Sequence, residues 1–193
     1  MSDGPLSLAT PFGPFEWRDP CWESEPLPVA LFDEATLTVR LYDRKPEGTL
    51  FTAAEEAALA RFLALSPSRR AEIVPHLWQY YREVWDCVGP PDVVEIADAA
   101  TIWDHVEPRS VRLATDEDGV IYVDVEAECD WEPEHGLQLV LQNGDRWLRV
   151  SSYSGHLTEG RAFGRPELDR WMADPALALP VHTLDDKLGG ARR

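Results

Sequence analysis

The chain has 193 residues, 44% hydrophobic and 27% charged. A chain of this length buries roughly 70% of its unfolded surface, so a single domain needs no disulfide or metal staple. Thirty-five acidic side chains against 18 basic ones give a net charge of −17, which repels phosphate backbones and anionic headgroups and argues against nucleic-acid or membrane binding.

Residues 1–50 read as extended, because Pro5, Pro11, Pro14, Pro20, Pro26 and Pro28 exclude helix there. Short strands are expected over 15–18, 28–32 and 37–42. In the last, Leu37, Val39 and Leu41 alternate with Thr38 and Arg40. Residues 52–106 read as helical. Thr52 with Glu55 forms a capping box for a helix over 53–65, with an apolar stripe of Ala58, Leu59, Phe62 and Leu63. Ser66-Pro67 starts a second helix, in which Ile73, Leu77, Tyr81, Val84, Trp85 and Val88 recur at helical spacing. Pro75 inside that run predicts a kink or a restart. Trp78, Tyr81 and Trp85 read as core. Gly89-Pro90-Pro91 ends the helix, and Asp98 caps a short one running through Trp103 and His105.

Residues 109–158 read as a β-meander. Around Glu117-Asp118-Gly119, a three-residue loop with Gly119 left-handed pairs Leu113 with Val123 and Val111 with Val125, keeping one face apolar. The same register sets Arg112 opposite Asp124. Asn143-Gly144 predicts a two-residue hairpin pairing Leu139 with Leu148, Leu137 with Val150, and Val140 with Trp147. A short helix over 165–173 carries Leu168 and Trp171, and the tail 187–193 is expected to be disordered. The sum is a single α+β domain over 1–186: an antiparallel β-sheet of hairpins and meander, with the middle helical segment packed on one face.

The segment of chemical interest is 124–135, where six carboxylates and a histidine fall together. Asp124, Glu126, Glu128 and Asp130 alternate opposite the apolar set and lie about 7 Å apart on one strand face. The chain then runs through Trp131, Glu132, Pro133, Glu134, His135 and Gly136. Three readings compete. The residues can form a solvated face with His135 bonded to a backbone carbonyl. They can form a partner-binding surface with Trp131 as an aromatic anchor. Or Asp130, Glu132, Glu134 and His135, with His156, can hold a divalent metal or do acid–base work. The spacing matches neither H-E-x-x-H nor an EF-hand loop, and Pro133 breaks the alternation. Residues 151–156, Ser-Ser-Tyr-Ser-Gly-His, are not G-x-S-x-G, and no dinucleotide, P-loop or kinase signature is present. His76 reads as structural or exposed, His105 falls near a helix end where a cation favours the dipole, and His182 falls in a loose C-terminal segment.

The stretches "VIYVDVEAECDWEPEHG" and "LQLVLQNGDRWLRVSSYSGHLT", with "FTAAEEAALARFL" and "IVPHLWQYY" upstream, resemble an uncharacterised bacterial family of the domain-of-unknown-function type. The resemblance covers most of residues 50–160, and residues 1–49 match loosely. It implies a small protein of the immunity type found beside bacterial toxins. Asp130, Trp131, Glu132, Glu134, His135, Gly136 and His156 match its motif, and it assigns no catalytic residue.

The expected function is a non-catalytic binding module, immunity-like or adaptor, engaging a basic protein through Asp124, Glu126, Glu128, Asp130, Trp131, Glu132, Glu134 and His135, with no cofactor. The alternative is a metal-dependent hydrolase or sensor holding a divalent metal through Glu132, Glu134, His135 and His156. Cys21, Cys87 and Cys129 fit no C-x-x-C pattern and read as reduced thiols in a cytoplasmic protein. Residues 1–9 lack the basic start of a signal peptide, and no run approaches the roughly 20 apolar residues of a membrane span.

Overall fold

The computed structural model describes residues 6–42, 44 and 49–170. The tail 187–193, His182, Trp171 and the end of the expected helix over 165–173 lie outside them. Nine strands form one mostly antiparallel sheet: β1 (Ser7–Thr10), β2 (Gly13–Arg18), β3 (Cys21–Ser24), β4 (Leu27–Val29), β5 (Ala35–Leu41), β6 (Val106–Thr115), β7 (Ile121–Cys129), β8 (Leu137–Gln142) and β9 (Arg146–Ser151). The order is β1-β2-β3-β5-β6-β7-β8-β9, with β4 beside β5. Among the described residues only β5 and β6 run parallel, Val39 opposite Val111. Their connection carries helices α1 (Ala53–Leu63) and α2 (Val74–Cys87), since parallel neighbours require a long crossover. This is the expected α+β architecture.

Local chemistry explains the elements. Thr52 accepts from the Glu55 N–H, and the Glu55 carboxylate accepts from the Thr52 N–H, closing the capping box of α1. The expected helix from Pro67 is a 3-10 segment, Pro67–Ile73, and α2 restarts behind it with Pro75 in its first turn. Proline has no N–H to bond back along a helix, and that position asks for none. Residues 28–32 divide into β4 and a 3-10 turn, Ala30–Phe32, that ends on Asp33 at φ 56°. Strands β1 and β3 were not expected from the sequence.

Ala58, Leu59 and Phe62 of α1 and Leu77 and Tyr81 of α2 meet Val123, Val125, Leu139 and Val150 of the sheet in one buried cluster that also holds Phe15, Trp22 and Trp131. Val88, expected on the buried stripe of α2, is exposed past the end of the helix. The helices do not all share one face. A further short helix, α3 (Glu159–Phe163), engages the other side through Arg149 and Asp116, where Tyr122, Val140 and Leu148 form a second small cluster.

The β6–β7 register is as expected: Leu113 opposite Val123, Val111 opposite Val125, Arg112 opposite Asp124. Gly119 has φ 77°. The β8–β9 hairpin differs. Gln142 pairs with Arg146, so the loop has three residues, and a bulge leaves Leu148 without a partner between Val140–Arg149 and Leu141–Trp147. Leu139 therefore faces Val150. The cause is tertiary. A Cβ on Gly144 would lie 1.9 Å from the Ala58 carbonyl of α1, and Arg61 and Arg69 bond the Asn143 and Asp145 carbonyls at 2.8 Å. Docking the turn against the helices shifts it by one residue, and the bulge restores the faces.

Candidate functional site

The carboxylates of β7 lie on one strand face, as expected, but they meet cations from the neighbouring strands. Asp124 is 1% exposed, and its Oδ2 accepts from Arg112 at 2.7 and 3.0 Å. Its Oδ1 accepts from Gln138 at 3.0 Å. Burial pushes the Asp124 carboxyl upward, against the opposing pull of Arg112. Glu126 accepts from the Ser110 hydroxyl at 3.0 Å and faces Arg40 at 3.9 Å. Glu128 takes Arg109 at 2.6 Å, which holds its carboxyl below the usual range. Asp130 meets His105 Nδ1 at 2.9 Å. The ladder is thus a run of cross-strand pairs, closed at its inner end and open at its outer end.

Arg109 joins this face through a defect in the strand. Strict alternation from Leu113 and Val111 would aim Arg109 into the core. A bulge between Pro108 and Ser110 turns it onto the acidic face, where it also bonds Glu107. Proline, with no N–H for the ladder, is at home at such a break.

Past Asp130 the chain makes a tight turn. Trp131 is 1% exposed and packs edge-on against Tyr80 and Tyr81 of α2, with ring centroids 5.9 and 6.1 Å away. The strand end left open whether Trp131 is core or an exposed anchor, and the ring is core, because α2 offers two aromatic rings to cover it. The Tyr80 hydroxyl donates to the Gly136 carbonyl at 3.1 Å and ties the turn to the helix. Gly136 has φ 64°, and a Cβ there would lie 2.7 Å from the Ala127 carbonyl, so only glycine fits. Glu132 Oε1 accepts from the backbone N–H groups of Glu134 and His135 at 3.3 Å. His135 Nδ1 also lies 3.3 Å from it, rather than on a backbone carbonyl.

These pieces line a cleft of about 720 Å³. Seven carboxylates reach it, from Asp104, Glu107, Glu126, Glu128, Asp130, Glu132 and Glu134, against one arginine, Arg109, and two histidines, His105 and His135. Sequence reasoning missed Asp104, His105, Glu107 and Arg109. Only the first two pairs of the ladder follow from the β6–β7 turn, since the bulge breaks the extrapolation beyond Ser110.

The metal reading finds part of its set. Ligand atoms of Glu132, Glu134 and His135 lie within 4.8 Å of one another, and His156 is not in that group. The exposed His156 instead gives its carbonyl to Arg149 Nη1 at 3.0 Å. The Ser151 hydroxyl donates to the Ser152 carbonyl at 2.8 Å, so its proton is not directed at a histidine. Arg112, Asp124, Gln138, Arg149 and Glu159 form a second polar chain under residues 153–158, also unforeseen apart from the Arg112–Asp124 pair. No helix of the described residues is long and apolar enough to cross a membrane.

A family described as a domain of unknown function (DUF6985) matches residues 11–157, reaching further towards the N-terminus than the 50–160 expected from the motifs. No curated protein and no solved structure matches the chain. The matched span runs from the β1–β2 turn through the acidic ladder, the Trp131–Gly136 turn and the β8–β9 hairpin, and on it the chain belongs to the DUF6985 family of unknown function.

Proposed function

We propose that this chain is a non-catalytic binding protein, immunity-like or adaptor in role, that engages a basic segment of a partner protein in the acidic cleft. One observation carries the reading: seven carboxylates line one cleft with a single arginine among them. Glu107 and Glu128 share Arg109. Asp104 and Glu134 have no ion-pair partner among the described residues, and Asp130 has only a histidine. Such a field speeds association with a cation and makes it salt-sensitive. It disfavours nucleic acid and anionic membrane for the same reason. The setting proposed is cytoplasmic, where Cys21, Cys87 and Cys129 stay unpaired. The test is a titration with capped hexa-arginine and hexaglutamate peptides at low and high salt. Binding of hexa-arginine that weakens with salt supports the reading; equal binding of both peptides, or none of either, removes it.

A second reading is favoured by the grouping of Glu132, Glu134 and His135: a divalent metal held for sensing or hydrolysis. Two carboxylates and an imidazole suit an open three-ligand site. One carboxylate oxygen of Glu132 is already committed to the turn. Calorimetric titration with zinc and manganese decides, with His135→Ala as control. Binding lost in the variant supports the site; no heat of binding in the parent removes it.

A further inference from the structure

The chain leaving α2 is pinned to the core yet turns two valines outward. Val93 and Ile96 are buried. The Val93 N–H donates to the Gly89 carbonyl at 3.2 Å, and the Ile96 N–H to the Tyr81 hydroxyl at 2.9 Å. On the same stretch Val88 is 57% exposed and Val94 45%. A valine held in water on a fixed segment forfeits the transfer energy that burial would supply. A pair of them beside further apolar surface marks a place suited to being covered.

Each valine sits in a different hollow. Val94 lines the acidic cleft. Val88 lines a second groove, of about 260 Å³, between α2, β9 and α3, together with Val84, Val150 and Phe163. Glu132 lines both, so the two hollows share a wall. The groove also has the cleft's sign. Arg149 and Glu159, both buried, pair with each other at 3.6 Å, and the other charged residues lining it, Glu83 and Glu132, are acidic. A segment running from the cleft into the groove stays in a negative field and finds apolar surface in each. That field disfavours an acidic peptide or an anionic lipid surface and selects a cationic occupant that carries apolar side chains.

We infer that the partner's basic segment is also apolar: its cationic residues fill the acidic cleft, and a leucine-sized side chain next to them enters the groove over Val84, Val88 and Phe163. The inference rests on the reading of the cleft as a basic-segment site and adds the apolar contact to it. The cations supply fast, salt-sensitive association, and the apolar side chain supplies affinity that salt does not screen.

The experiment uses the full chain and three capped peptides: tetra-arginine followed by Gly-Leu-Leu, the same residues in reverse order, and tetra-arginine followed by three glycines. Calorimetry measures affinity at two salt concentrations. The alkylation rate of Cys87, the exposed cysteine on the groove wall, reports occupancy, while Cys21 and Cys129 are buried. A leucine peptide is expected to bind about fivefold or more tighter than the glycine peptide, to keep that ratio at high salt, and to slow Cys87 alkylation. Val88→Asn, at an exposed position past the helix end, is expected to lose most of the ratio with glycine-peptide affinity unchanged. Binding of the glycine peptide with no leucine gain, a gain without protection of Cys87, or an undiminished gain in Val88→Asn overturns the inference and leaves the cleft reading standing. No binding by any peptide removes both. Cys87 already shielded in the free chain gives the groove to the chain itself, and shielding that grows with protein concentration gives it to a second copy; either result overturns the inference.

Discussion

Replacing Trp131 with alanine separates a packing role from an interaction role for the centre of the family's turn. The ring is 1% exposed and makes edge contacts with both Tyr80 and Tyr81. Truncating a buried tryptophan costs about 3–5 kcal/mol in lost transfer energy and cavity. Each lost aromatic pair accounts for about 0.5–1.5 kcal/mol beyond area, which places the change in the upper half of that range. One term works the other way: the Trp131 Nε1 has no hydrogen-bond partner, so deleting it relieves a buried polar atom. Trp131→Phe, which keeps most of the ring and drops the N–H, should therefore cost far less, about 1–2 kcal/mol. Urea unfolding with a shared slope measures both. In a chain of this size the alanine variant should melt roughly 6–20 °C lower. An alanine variant within about 1 kcal/mol of the parent would mean the ring is not buried, and the reasoning that makes the turn a structural anchor would fail.

Gly144→Ala should destabilise by more than about 3 kcal/mol, because its Cβ would meet the Ala58 carbonyl at 1.9 Å and φ is 87°; urea unfolding reads it. For Glu55, burial alone would raise the carboxyl, yet hydrogen bonds from Thr52 and Thr115, with Arg44 beside it, hold it below its ordinary value. A depressed folded value means a contribution present above the unfolded value of about 4.3 and lost as pH falls through the lower folded one. Glu55→Gln should thus lower stability at pH 7 by about 1–2 kcal/mol and flatten the stability curve below about pH 4.5. Arg109→Ala should change stability by less than about 1 kcal/mol, since its pairs are exposed, while tightening hexa-arginine binding by leaving Glu107 and Glu128 open. Weaker peptide binding in that variant would count against the cleft as the site.

Much of the fold was legible because local signals there agree with tertiary need. The Thr52–Glu55 box, the Pro75 restart and the Leu113–Val123 register each follow from residue chemistry that the core then uses. What was hidden depended on distant residues. The β8–β9 hairpin carries a strong two-residue turn signal, yet contact of Gly144 with α1 overrides it. The parallel β5–β6 pairing joins strands separated by the whole helical segment, and no local pattern announces it. In the site, alternation correctly placed the carboxylates of β7 on one face. It could not show that Arg40 and Arg109 pair with carboxylates of that face, because the Arg109 bulge and the parallel neighbour supply those cations. Trp131 fell at a strand end, where periodicity assigns no face, and α2 decided for it.

The most direct measurement of the central claim is calorimetric titration of capped hexa-arginine into the parent and into a combined Asp104→Asn, Glu107→Gln, Asp130→Asn and Glu134→Gln variant at two salt concentrations. All four positions line the cleft, and Asp130 and Glu107 are well exposed, so folding should be retained. Salt-sensitive binding by the parent is expected, with a loss of about tenfold or more and a shallower salt dependence in the variant. Equal binding by both proteins would show that the charge of the chain acts diffusely and that the cleft is not the site.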